Sequence, residues 1–89
     1  MNILYSKRFS KDLDAIRHEP NIKKRLSDLI GQIKKADILS GISGVKRIEG
    51  YPGYFRIRIG DYRLGVKLTE NQIEIIRFLH RKEIYRRFP

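Results

Sequence analysis

The chain has 89 residues, twenty Lys and Arg against ten Asp and Glu, a formal charge of +10 and no cysteine. Such a length supports one core that buries about 60–65% of the unfolded surface, and the residue supply excludes disulfides and thiolate metal sites. The charge opposes compactness and points to a polyanionic partner, with nucleic acid ahead of an anionic membrane or an acidic protein, and plain solubility as the bland alternative.

No apolar run approaches the roughly 20 residues needed to cross a bilayer. The opening MNILYSKRF gains charge too early for a signal peptide. The expectation is a cytoplasmic protein of one domain, residues 1–89, with no membrane partner.

Residues Asn2 to Tyr5 suit a short strand. From Ser6 the apolar spacing changes to Phe9, Leu13 and Ile16, one stripe of a helix. Pro20 interrupts it and is tolerated in the first turn of the next helix. There Ile22, Leu26, Leu29, Ile30 and Ile33 form a stronger stripe, so an antiparallel helix pair joined by RHEP is predicted. Gly41 and Gly44 mark a loop before a short strand candidate at Val45 to Glu49.

Three strands follow: Tyr54 to Ile59, Tyr62 to Thr69 and Gln72 to Leu79. Gly60-Asp61 has the Gly-first chemistry of a two-residue type II′ turn. That loop sets Ile59 opposite Tyr62, Arg58 opposite Arg63, Arg56 opposite Gly65 and Tyr54 opposite Lys67. A two-residue turn at Glu70-Asn71 sets Lys67 opposite Glu74, a favourable pair. Phe55, Ile57, Ile59, Leu64, Val66, Leu68, Ile73 and Ile75 then share one face for the helices to cover. The other face carries Arg56, Arg58, Arg63, Lys67, Glu74, Ile76, Phe78 and His80. Arg77 falls on the apolar side by strict alternation, a misfit. The tail HRKEIYRRFP suits a short helix in which Arg81 and Tyr85 share a face and Ile84 and Phe88 anchor it. The fold class is α+β, with the helix pair on one face of a mainly antiparallel sheet.

Metal and nucleotide motifs are missing: His18 and His80 lack ligand context, and no GxSxG, P-loop or GxGxxG occurs. His18 reads as a cation near the end of the first helix. No cofactor, metal or small-molecule ligand is expected. What remains is a phosphate site. Arg56 and Arg58 leave the same face about 7 Å apart, and Arg63 completes a triangle. Like charges about 5 Å apart repel by roughly 1 kcal/mol in bulk water and about 3 at an effective dielectric near 20, so an anion is the natural complement. Gly65 leaves room for a nucleotide. Tyr54, Phe78 and Tyr85 offer stacking surfaces for single-stranded RNA. Ordinary packing is the alternative for Tyr54 and Phe78, and a solvated strand face is the alternative for the arginines.

YFRIRIGDYRLGVKL together with HRKEIYRRF resembles the RelE/ParE superfamily of bacterial toxins over nearly the whole chain. The resemblance implies a RelE-like toxin of a type II toxin-antitoxin system, a cognate antitoxin as partner, and cleavage of mRNA at the ribosomal A site by 2′-hydroxyl attack. It matches Arg56 and Arg58 to the family's basic pair, Arg63 to the arginine after the hairpin, and Arg81 and Tyr85 to the late arginine and C-terminal tyrosine, all catalytic. Lys67, His80 and Tyr54 are read as substrate-binding. The best-known members carry lysines where this chain has Arg56 and Arg58. Arginine does not give up its proton, so the base role passes to Tyr85 or His80, or the 2′-hydroxyl is aligned with little base assistance. A strand-end hydrogen bond is the alternative for His80. The ParE branch, which inhibits DNA gyrase without cutting nucleic acid, is the alternative function.

Overall fold

The computed structural model describes all of residues 1–89. Strand β1 (Asn2–Tyr5) leads into helix α1 (Lys7–Ala15) through Ser6, whose hydroxyl accepts from the Phe9 amide at 3.0 Å. Such an N-cap contributes about 1 kcal/mol. Pro20 opens α2 (Pro20–Lys35), at the position where a missing N–H leaves nothing unpaired. A 3₁₀ turn at Leu39–Gly41 and strand β2 (Val45–Arg47) follow. Then come β3 (Tyr54–Ile59), β4 (Tyr62–Thr69), β5 (Gln72–His80) and α3 (Arg81–Arg87). No helix is long and apolar enough to cross a membrane.

The sheet order is β1-β5-β4-β3-β2, with β1 parallel to β5 and every other pair antiparallel. This is the α+β arrangement expected. The β3–β4 hairpin has the anticipated register throughout, Arg58 opposite Arg63 and Arg56 opposite Gly65 included. Gly60 has φ +56°, the value a type II′ turn demands of its first central residue and one that glycine adopts without strain. Ile57, Ile59, Leu64, Val66, Ile73 and Ile75 are buried against Phe9, Ile16, Leu26, Leu29 and Ile33 of the helix pair. Phe55 and Leu68 flank that core at half depth.

Two expectations change along the edge of β5. Strand β1 stops at Tyr5, opposite Ile75, so the later amides of β5 lack a strand partner on that side. Helix α1 runs along the gap and turns Asp12 inward, 8% exposed, while Leu13 is 37% exposed. The predicted Phe9, Leu13, Ile16 stripe is thus really Phe9, Asp12 and Ile16. A β-bulge also intervenes: Val66 pairs with Ile75 but Gly65 with Arg77, which leaves Ile76 unmatched. The Ser6 hydroxyl donates to the Ile76 carbonyl at 2.6 Å and the Asp12 carboxylate accepts from the Phe78 amide at 2.9 Å, so polar groups from α1 and its cap satisfy the irregular backbone.

One extra residue exchanges the faces of everything beyond it. Phe78 pairs with Leu64 and lies in the core at 1% exposure, not on the basic face. His80 pairs with Tyr62, which itself faces buried Ile59, so it too leaves the face of Arg56, Arg58 and Arg63. Arg77, the misfit, is removed from the apolar side by the same bulge.

Candidate functional site

Alternation on β3 points Tyr54, Arg56 and Arg58 away from the helix pair, and the tight turn brings Arg63 beside Arg58. Strand β2 adds Lys46 directly opposite Arg56. On the far side, α3 crosses this face. Its first amide, from Arg81, donates to the Asp61 carbonyl in the hairpin turn at 2.7 Å, and His80 caps it by accepting from the Lys82 amide at 3.2 Å. The enclosed cleft, about 550 Å³, is lined by Gly44, Lys46, Arg56, Arg58, Arg63 and Tyr85.

Four cations therefore share one opening. The chain's salt bridges are Arg77–Asp12, Arg86–Glu83 and Arg87–Glu83, so no carboxylate neutralises the cleft. Backbone and ring hold these cations instead. Arg63 donates through Nη1 to the carbonyls of Gly60 and Tyr62, each at 2.9 Å, which fixes its direction and leaves its charge uncompensated. The Arg56 guanidinium lies 4.6 Å from the centre of the Tyr85 ring, a cation–π contact. Gly44, at φ +82°, lies against Arg58 and accepts its amide at 3.1 Å, forming one wall. Oriented donors around an uncompensated positive cleft suit an anion carrying several acceptor oxygens, and phosphate is the common one.

The expected residues divide. Arg56, Arg58, Arg63 and Tyr85 come together. Arg81 is exposed on the first turn of α3, one helical turn before Tyr85 and outside the cleft lining. Tyr54 and Lys67 pair beside it, with the ammonium 5.2 Å from the ring centre. His80 and Phe78 are absent from the cleft because of the bulge. The space over Gly65 holds the Phe88 ring rather than room for a nucleotide. Lys46 was not anticipated: β2 joins β3 through a long loop, so no turn arithmetic gives its register. A larger groove of about 870 Å³ lies between α1 and α2, where Tyr5, Phe9, Leu13, Leu26 and Ile30 are joined by Arg17, Lys23 and Lys34, but there the carboxylate of Asp14 shares the lining with the cations.

The sheet, its short C-terminal helix and the basic, carboxylate-free cleft between them are those of a chain that belongs to the RelE/ParE superfamily of type II toxin-antitoxin toxins. Residues 3–85 match the family described as "ParE toxin of type II toxin-antitoxin system, parDE". The chain is 40% identical to Toxin RelE3 of Methanocaldococcus jannaschii, over the full length of both. It superimposes on the toxin of the RelB-RelE antitoxin-toxin complex from Methanococcus jannaschii with a TM-score of 0.83, 37% identity and coverage of 97% of this chain and 99% of that one. The E. coli DinJ-YafQ toxin-antitoxin complex gives 0.70 and 26%, covering 94% and 96%.

Proposed function

We propose that this toxin is a ribosome-dependent mRNA endoribonuclease that cleaves A-site codons and stops translation, with residues 1–89 acting as one domain in the cytoplasm. The observation that carries the reading is the convergence of Lys46, Arg56, Arg58 and Arg63 with Tyr85 on one cleft free of carboxylates. Its partner is a cognate antitoxin; the matched RelE and YafQ chains are each seen in complex with one.

The 2′-hydroxyl attacks the adjacent phosphorus and the bond to the 5′ oxygen breaks, leaving a 2′,3′-cyclic phosphate and a 5′-hydroxyl. Charge grows on the phosphorane oxygens, and Arg56, Arg58 and Arg63, gathered in the cleft before the substrate arrives, stabilise it. Tyr85 accepts the hydrogen bond of the attacking hydroxyl and aligns it, its proton passing to solvent. Lys46, an ammonium that can part with a proton where the guanidiniums beside it do not, supplies the leaving oxygen. Arg81, Tyr54 and Lys67 hold the flanking RNA from the rim. His80 has no part.

Primer extension on mRNA held in stalled ribosomes tests this reading. The wild type cuts within the A-site codon, and Arg63→Ala loses about 10²–10³ in rate, as removal of one preorganised donor does. A wild type that leaves every A-site codon intact defeats the proposal. Because the matched family description carries the ParE name, the rival reading is gyrase inhibition. Supercoiling assays separate the two: the nuclease reading expects gyrase to be unaffected.

A further inference from the structure

Gly65 needs no glycine backbone, since its φ is not in the left-handed region. It is glycine for space. A Cβ there would lie 2.8 Å from Cδ2 and Cε2 of Phe88 and 2.9 Å from Cγ, well inside contact distance. The Phe88 ring thus lies directly on the backbone of β4, 5% exposed. Its edge meets Tyr54 at 5.8 Å between centroids. Phe88 and Ile84 are buried but stand apart from the 14-residue core between sheet and helix pair. They form a small second core on the basic face.

The position of this second core connects it to the cleft. Gly65 is the direct cross-strand neighbour of Arg56, and Arg56 carries the Tyr85 ring. Tyr85 precedes Phe88 by less than one helical turn, and the Phe88 amide closes that turn on the Ile84 carbonyl at 3.0 Å. Tyr85 itself is 58% exposed, so its own packing holds it weakly. A seven-residue helix has no independent stability in water; its direction comes from its anchors.

We propose that Phe88, seated on Gly65, is a positioning residue that sets Tyr85 over Arg56 and so completes the cleft. The consequence for RNA cleavage rests on the nuclease reading above; the dependence of the Tyr85–Arg56 contact on the seat does not. Gly65→Ala lifts the ring, Phe88→Ala removes it, and Gly65→Ala/Phe88→Leu refits a shorter side chain over the added methyl.

Two measurements on the full chain decide it. The first is the NMR shift of the Arg56 side chain, displaced by the ring current of Tyr85 in the wild type. The second is single-turnover cleavage on stalled ribosomes beside the affinity for a short single-stranded RNA. Gly65→Ala and Phe88→Ala should each release the Arg56 shift and slow cleavage by roughly 10–100-fold, as small misplacements at a reacting centre do, with RNA affinity nearly unchanged. The double variant should recover both. Arg56 shifts that stay at wild-type values in folded single variants overturn the proposal, as does cleavage unchanged when the shifts move. If Gly65→Ala fails to fold, Phe88→Ala and Phe88→Leu make the same comparison. If the wild type cuts no RNA, the nuclease reading falls and the NMR arm alone decides the positioning.

Discussion

The carboxylate of Asp12 grips the guanidinium of Arg77 through two hydrogen bonds, 2.9 and 3.0 Å, across 65 residues of chain. The same carboxylate accepts the Phe78 amide at 2.9 Å. One side chain thus satisfies the unpaired edge of β5 and holds the arginine that the bulge displaces. The hydrogen bond to Asp12 raises the Arg77 pKa above the ordinary arginine value, against a lowering by burial, so Arg77 stays charged throughout the physiological range.

Asp12→Ala should therefore cost about 3–5 kcal/mol, because it leaves a charge without a partner in a site where Arg77 is only 11% exposed. Urea denaturation measures this. Asp12→Ala/Arg77→Met should be less destabilised than Asp12→Ala alone, since the orphaned charge is gone. Equal losses would show that the pair contributes packing only.

Arg58 and Arg63 face each other with no carboxylate between them. Arg58→Gln should raise thermal stability slightly at low salt, by up to about 1 kcal/mol, and the gain should fade as ionic strength screens the repulsion. The same substitution should cut the cleavage rate by about 10² or more. A variant that loses stability and activity together would contradict a site strained by its own charge.

Lys46 should behave as a phosphate contact. Lys46→Ala is expected to reduce the slope of log affinity against log salt for single-stranded RNA by about 0.7, the increment for one released counterion. Arg87→Ala, at an exposed position already paired with Glu83, should leave the slope unchanged. Titrations at several salt concentrations read both.

Tyr62 donates to Glu19 at 2.9 Å. Burial first, then that hydrogen bond and the charges of Glu19 and Asp61, raise its pKa above the ordinary 10.0. The folded state therefore keeps a proton that the unfolded state loses. Its contribution to stability is complete below pH 10.0 and declines as pH rises through the higher folded value. Melting curves between pH 8 and 11 should show a steeper alkaline loss in the wild type than in Tyr62→Phe. Parallel curves would refute the linkage.

Short-range chemistry in the sequence determined much of this molecule. Gly60-Asp61 dictates a two-residue turn, and a two-residue turn dictates every pair in the β3–β4 hairpin, Arg58 against Arg63 among them. Apolar spacing and Pro20 likewise determined α2. The tertiary structure alone decided the rest. The bulge at Ile76 follows from Ser6 and Asp12 meeting an edge that β1 leaves open, so alternation read along β5 misplaced Phe78 and His80. Lys46 reached the cleft through a strand joined by no tight turn, and Phe88 took the space over Gly65 by folding back across the sheet. A turn is specified by its own few residues, whereas a bulge or a seat for a ring is specified by partners that only folding brings together.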